Sequence, residues 1–181
     1  RSNKFKKILE KKFKNRIIFY NVDLNNFLKT KKIINKIKPD LIFNLASYAD
    51  VRKSFDYPHE FILNNHNSTL NLLESIRKCN LKSLFIHCST SEVYGRVSKK
   101  EIPITENQKM RPVSPYAVSK SFQDLLSQLY HQVYGLNIII TRMFTYNNPR
   151  RLNLFQSAFA SQISKIEKGK QKILSHGNLN S

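Results

Sequence analysis

Glycine is scarce in this chain, with four in 181 residues, and tryptophan is absent. Gly95, Gly135, Gly169 and Gly177 all lie too late to form a glycine-rich turn between a first strand and a first helix, so a phosphate cradle of that kind is excluded from this stretch. Two cysteines, Cys79 and Cys88, are too few for a disulfide scaffold. Neither has the Cys-x-x-Cys or Cys/His spacing of a ligand set, so no metal is expected and a reducing, cytoplasmic setting fits. No apolar run approaches the roughly 18 residues that span a bilayer, and no apolar leader opens the chain at Arg1. These features read as a soluble, internal piece of a longer protein, about one domain in size.

Acidic residues are also few, 12 against 31 Lys and Arg, which leaves a net charge of +19. Thirteen of the cations lie between Arg1 and Lys38, opposed there only by Glu10 and Asp23. Such an end attracts phosphate backbones nonspecifically. No helix-turn-helix, zinc or aromatic RNA-binding signature accompanies it. A general bias towards Lys, Asn and Ile accounts for the charge, and nucleic acid is not an expected partner.

Hydrophobic spacing predicts a basic helix over 1–14, a strand at Ile17-Ile18-Phe19-Tyr20, and a helix with Phe27, Ile33, Ile34 and Ile37 on one face that Pro39 stops. A buried strand follows at 40–45, then a polar loop to Pro58 and a long helix from 59 to 79. Strand 84–88, helix 115–134 and strand 137–142 continue the alternation. A helix over about 154–168 and a strand opening at Lys172-Ile173-Leu174 end the pattern. This βα order predicts an α/β fold, a parallel sheet with helices on both faces.

Two segments carry the chemistry. Tyr116 and Lys120 are four apart on a predicted helix, so both project from one face and the ammonium can favour a tyrosinate base. Alone, that spacing is common in a lysine-rich chain. Ser89-Thr90-Ser91-Glu92-Val93-Tyr94-Gly95 at the tip of strand 84–88 adds a hydroxyl donor and a carboxylate to the same cleft. Among the other polar residues, His87 reads as a hydrogen-bonded core histidine, Ser89 and Ser91 as capping or cleft-lining groups, and Phe155 and Phe159 as core.

With these segments in order, the chain from about Ile18 to Asn180 resembles the GDP-mannose 4,6-dehydratases of the nucleotide-sugar epimerase/dehydratase family, within the extended short-chain dehydrogenases/reductases. Further similar segments are Tyr20-Asn21-Val22-Asp23-Leu24, Asn44-Leu45-Ala46-Ser47, Arg111-Pro112-Val113-Ser114-Pro115-Tyr116 and Pro149-Arg150-Arg151. The resemblance implies a Rossmann-like doubly wound sheet lacking its first strand and glycine-rich turn. Residues 1–144 would be a partial NAD(P)-binding domain and 145–181 the start of a sugar-binding lobe. It implies Thr90, Glu92, Tyr116 and Lys120 as catalytic residues. Asp23, Leu24, Leu45, Ala46 and Ser47, with Tyr116 and Lys120, would bind NADP or NAD. Thr90, Ser91, Glu92, Thr145, Asn147, Arg150 and Arg151 would approach the nucleotide sugar. Asn65 falls at a family asparagine whose following glycine is absent here. A homo-oligomer is implied for the full-length protein, and no membrane partner.

Glu92 tilts the expected reaction towards elimination of water, since a simple reductase or epimerase needs no such base. The same Ser-Thr-Ser-Glu-Val-Tyr-Gly segment is similar to that of UDP-glucuronate decarboxylases. Thr145-Tyr146-Asn147-Asn148 departs from the dehydratase pattern, and the loop after Gly95 is longer, with Ser98-Lys99-Lys100 as the insertion. Another family enzyme, or a basic binding fragment without catalysis, therefore stand as alternatives. The fragment alone is expected to be inactive.

Overall fold

The computed structural model describes residues 3–13, 16–145 and 154–177, with side chains from Lys7 onward. It divides into two compact units, Arg1–Arg142 and Met143–Ser181. In chain order the elements are α1 Asn3–Phe13, α2 Phe27–Ile37, β1 Leu41–Asn44, α3 Val51–Asp56, α4 Pro58–Lys78, β2 Leu84–Cys88, a 3-10 turn Ser91–Tyr94, α5 Pro115–Tyr134, β3 Ile138–Thr141 and α6 Phe155–Glu167.

Local chemistry sets the helix ends. The Asn26 side chain accepts from the Lys29 amide at 3.0 Å to start α2, and Ser114 accepts from Ala117 N at 3.0 Å to start α5. Each cap satisfies one amide that has no partner within its own helix. Pro58 and Pro115 occupy first-turn positions, where a missing N–H costs nothing. Gly135, at φ +68°, closes α5 in the left-handed conformation.

The three strands are parallel in the order β1-β2-β3, so β2 is central. Ile42, Phe85 and Ile138 align across the sheet and pack with Ile34, Leu72, Leu73, Ile76, Tyr130 and Leu136, which α2, α4, α5 and the turn after α5 supply. One rung towards the carboxyl ends, Asn44 and His87 align on the same face and are buried. The covered face is therefore apolar at one end and polar at the other.

The opposite face is open. Phe43 is 59% exposed and Ile139 47%, so β1 alternates between exposed and buried positions and is not the doubly buried strand expected. Among the described residues, the helices that build the core lie on one face. Residues 17–20, expected as a strand, form no ladder, and Ile18, Phe19 and Tyr20 are exposed. Apolar sequence supplies side chains for a strand but not the neighbouring strand edge that completes it. Residues 172–174 likewise form no strand, and Ile173 is exposed. The polar loop expected before Pro58 contains α3, which Asp50 caps by accepting from Lys53 N at 3.1 Å.

In the second unit, Phe155 and Phe159 meet edge to face at 6.1 Å, yet Phe155 is exposed rather than core. Gln162 holds the following segment back onto α6, accepting from Ser175 N at 2.8 Å and donating to Ser175 O at 3.0 Å.

Gly95 follows the 3-10 turn with φ +62° and ψ −139°. A Cβ there would lie 1.8 Å from the carbonyl oxygen of Arg111. Gly95→Ala is expected to destabilise the fold by roughly 1–3 kcal/mol from backbone strain alone, with a further loss from displacing Arg111. A lower urea midpoint at unchanged slope is the expected reading; an unchanged midpoint would show that the loop gives way freely.

Candidate active site

The site grows from the tip of the central strand. Beyond Cys88, the Thr90 hydroxyl accepts from the Glu92 amide at 3.3 Å and starts the 3-10 turn. Val93 and Tyr94 are buried and anchor that turn, while the Glu92 side chain is exposed. Arg111 N donates to Val93 O at 3.0 Å, so the loop after Gly95 returns to the turn it left.

Helix α5 packs on both β2 and the turn. Tyr116, Lys120 and Asp124 recur every fourth residue along it. Tyr116 is half-buried. Lys120 is 3% exposed, and its ammonium donates to the carbonyl of Cys88 at 2.6 Å. This bond brings the Tyr-x-x-x-Lys helix to the strand end that carries Thr90 and Glu92. Burial pushes the Lys120 ammonium down to about 8, against the opposing influence of Cys88 and Asp124.

Several residues that motif reading missed hold this arrangement. Asp124 is fully buried and takes a two-pronged ion pair from Arg142, Nε to Oδ2 at 2.9 Å and Nη2 to Oδ1 at 3.1 Å. Arg142 Nη1 donates to Tyr94 Oη at 3.1 Å and to Glu106 O at 2.8 Å. Burial works to raise the Asp124 carboxyl, but hydrogen bonds from Arg142 and Gln128 outweigh it and hold the group below the usual range. One signal was available in the sequence: Asp124 and Lys120 are the only charged residues of α5.

A second network stands behind Tyr116. Asn65, fully buried, accepts from Tyr48 N at 2.7 Å and donates to Ser119 Oγ at 2.8 Å; Ser119 donates to Tyr116 O at 2.7 Å. Thr69 Oγ1 accepts from Asn44 Nδ2 at 2.9 Å and from Gln123 Nε2 at 2.6 Å, and Gln123 also donates to Asn65 O at 2.7 Å. Asn65 thus holds the Tyr48 backbone and, through the Ser119 hydroxyl, reaches the first turn of α5, despite the missing family glycine after it.

The remaining predicted positions are more scattered. Asp23 Oδ1 accepts from Asn25 N at 3.0 Å, and Leu24 packs on the core while its carbonyl accepts from Asn71 at 2.8 Å. Leu45 is exposed just beyond β1; Ala46 N donates to Asn44 Oδ1 at 3.2 Å, and Ser47 is partly covered. Ser91 is half-buried within the turn. Thr145 is exposed in the second unit. Asn147, Arg150 and Arg151 lie outside the described residues. Among the described residues no cluster of three or more His, Cys, Asp or Glu is placed to hold a metal, and no helix is long and apolar enough to cross a membrane.

His87 is in the core, as expected, but neither ring nitrogen has a protein hydrogen-bond partner, contrary to expectation. The strand aims the ring into the polar end of the covered face, where neighbouring groups bond one another instead. Burial, then the charge of Lys120, pushes the imidazole down to about 3, with Asp124 acting oppositely. Since the unfolded histidine titrates near 6.5, the unfolded state takes up a proton first, and stability falls as pH drops from about 6.5 towards about 3. His66, desolvated at its stack on Phe122, acts in the same direction. Lys120 extends the trend: between about 8 and 10.5 the unfolded state binds more protons, so stability rises with pH. Urea midpoints at a series of pH values are expected to decline below 6.5, by at most about 1.4 kcal/mol per pH unit for each group. His87→Leu is expected to remove most of that acid limb, and an unchanged limb would contradict the assignment.

The geometry agrees with what comparison with known proteins shows. Residues 1–181 match the family profile described as GDP-mannose 4,6 dehydratase. The chain is 38% identical over 132 residues to UDP-glucuronate 4-epimerase of Thermodesulfobacterium geofontis, covering 72% of this chain and 40% of the relative. It is 34% identical over 160 residues to GDP-mannose 4,6-dehydratase of Vibrio cholerae, covering 87% of this chain and 42% of that protein. The chain thus spans less than half the length of these relatives. Among solved structures it is similar to RMD from Pseudomonas aeruginosa complexed with NADPH, with a TM-score of 0.79 at 26% identity over 86% of this chain and 53% of that one. It is also similar to DesIV, a dTDP-glucose 4,6-dehydratase from Streptomyces venezuelae with NAD and TYD bound, with a TM-score of 0.70 at 27% identity over 87% and 47%. A parallel sheet whose central strand ends in Thr90 and Glu92, met by the lysine of Tyr-x-x-x-Lys, together with a profile match over the whole chain, places this protein in the GDP-mannose 4,6-dehydratase family of nucleotide-sugar dehydratases and epimerases.

Proposed function

We propose that this chain forms part of a nucleotide-sugar 4,6-dehydratase that converts GDP-mannose to its 4-keto-6-deoxy product. The observation that carries the reading is the Lys120 bond to Cys88 O, which docks the Tyr116 helix against the strand end bearing Thr90 and Glu92. Residues 1–144 form part of the NAD(P)-binding domain and 145–181 begin the sugar-binding region. Asp23 and Leu24 approach the adenine, and Leu45, Ala46 and Ser47 approach the pyrophosphate and ribose. Arg150, Arg151, Asn147 and Thr145 approach the nucleotide sugar. Leu45 is exposed just beyond the carboxyl end of β1, the end of a parallel sheet at which dinucleotides bind. The glycine-rich turn that would grip the pyrophosphate is not among these residues.

NADP or NAD, which Leu45, Ala46, Ser47, Tyr116 and Lys120 would hold, would supply a reversible hydride acceptor between C4 and C6 of the sugar. Tyr116 accepts the C4 hydroxyl proton, assisted by the positive charge of Lys120, while Thr90 donates to the C4 oxygen. Glu92 then takes the C5 proton, which the new C4 ketone has made acidic, and passes it to the C6 hydroxyl, which leaves as water; Tyr116 returns the proton it took from the C4 hydroxyl to C5 when C6 is reduced. An exposed carboxylate at the strand tip suits that second step, because it must meet substrate and exchange its proton. The enzyme is read as cytoplasmic.

The outer face of α5 supports self-association of the full-length protein. Val118, Leu125, Leu129 and Val133 are exposed along it, and both charged residues of the helix are buried. In a chain of net charge +19, an uncharged apolar stripe is where two copies can meet without repulsion. Leu125→Glu with Leu129→Glu is expected to halve the sedimenting mass; an unchanged mass would remove α5 from the interface.

In the full-length protein, product mass separates dehydration, which loses water, from epimerisation, which conserves mass. Tyr116→Phe is expected to reduce turnover at least about a hundredfold. Glu92→Gln is expected to block elimination while initial oxidation at C4 continues, so that reduced nicotinamide absorbance builds up in a single turnover. Deoxy-sugar formation by Glu92→Gln at the parental rate would overturn the dehydratase reading.

A further inference from the structure

The polar end of the covered sheet face contains a group that the proposed chemistry does not use. His87 is fully buried, and no protein group lies within hydrogen-bonding reach of Nδ1 or Nε2. A neutral imidazole presents one donor and one acceptor. Both are thus shut away from bulk solvent without a protein partner, an arrangement that native proteins rarely keep. Lys120 poses the complementary problem. Its ammonium carries three donors at 3% exposure, and Cys88 O accepts one of them.

These two shortages lie side by side. His87 immediately precedes the residue whose carbonyl accepts from Lys120, α5 packs on β2, and the Lys120 charge is near enough to act on the imidazole. The ring has spare acceptor capacity and the ammonium has spare donors, yet they do not bond directly. Most polar groups around them are engaged with one another, while Ser89 Oγ, Ser121 Oγ and Gln123 Oε1 are buried without a hydrogen-bond partner, as the ring is. On α5, Asp124 is committed to Arg142 and Gln128. On β1, Asn44 bonds Thr69 and Ala46, and on α4 Asn65 and Thr69 are neutral and engaged with Tyr48, Ser119 and Gln123. Beside His87 on β3 stands Ile140, which offers no polar group.

We propose that an internal water site lies between β2 and the second turn of α5, where one water accepts from the Lys120 ammonium and donates to the bare ring nitrogen of His87. The other ring nitrogen keeps its hydrogen. Buried water typically makes about three hydrogen bonds to groups that are otherwise unsatisfied, and this position offers a donor and an acceptor together. A ring held neutral by burial and by the neighbouring ammonium remains an acceptor throughout the range in which Lys120 titrates. His87 is then a positioning residue for Lys120: it gives a desolvated ammonium a second, uncharged acceptor through water and helps it stay protonated. The catalytic consequence rests on the role proposed for Lys120, whereas the water site does not.

Nuclear magnetic resonance on the 181-residue chain tests this without substrate or cofactor. In the unmodified chain, magnetisation transfer from water to the His87 ring protons is expected, with ring nitrogen shifts of a single neutral tautomer. Following the Lys120 ε-carbon through a pH series, His87→Leu is expected to lower the Lys120 midpoint by about one pH unit, and His87→Gln to restore most of it. A folded chain with no water contact at His87, or a Lys120 midpoint unmoved in folded His87→Leu, would overturn the proposal. If His87→Leu does not fold, the water contact in the unmodified chain decides. A positive result alongside an inactive Tyr116 site would leave the water site standing and remove only the dehydratase reading.

Discussion

One buried ion pair holds the site together. Arg142 leaves the end of β3, meets Asp124 on α5 through two hydrogen bonds, and spends its remaining nitrogen on Tyr94 and the Glu106 carbonyl. Its guanidinium also lies over the Tyr94 ring, 5.2 Å from the centroid. A lone carboxylate could not stay charged at this depth. Here every oxygen of Asp124 is bonded, and removing either partner of such a pair typically destabilises by about 3–5 kcal/mol. The joint matters because Lys120 is one helical turn before Asp124 and Glu92 two residues before Tyr94. Fixing Asp124 to Tyr94 through Arg142 therefore fixes the helix carrying the phenol and lysine to the turn carrying the carboxylate.

The zoning of the sheet follows from the same constraint. At the amino end, Phe85 and its neighbours exclude water and make a conventional core. Towards the carboxyl end, a core of the same kind would strand the Lys120 ammonium, so Asn44, Asn65, Thr69 and Gln123 replace apolar side chains with groups that bond one another. Such a network is directional where an apolar core is not. It sets the rotation of α5 against α4 and so the direction in which Tyr116 points.

Much of this was legible in the residues themselves. Helix α5 and strand β2 were predicted to the residue, because Ser114-Pro115 and Gly135 mark the helix ends and an unbroken apolar run marks the strand. Thr90, Glu92, Tyr116 and Lys120 came from spacing and resemblance. What the sequence did not disclose were relations between distant segments. Arg142 gives no local sign that its partner is 18 residues earlier, and Ile17 to Tyr20 give no sign that they lack a strand to pair with. His87 was expected to be bonded, since buried histidines usually are. Only the placement of its neighbours shows that Asn44, Thr69 and Asp124 are already engaged elsewhere.

The return of the chain at Gly95 has a consequence for how this site can vary. Val93 O and Arg111 N are joined, Gly95 touches Arg111, and the Glu101 carboxylate ties Ser98 N, Gln108 and Arg111 together at 2.6–2.8 Å, which holds its acid down to about 2. Both ends of the excursion are therefore anchored independently of its length. The entropy of closing a loop grows only with the logarithm of its residues, about 0.6 kcal/mol for each doubling. Residues added between those anchors need not move Glu92, so this loop can change its length and chemistry while the carboxylate beside it stays still.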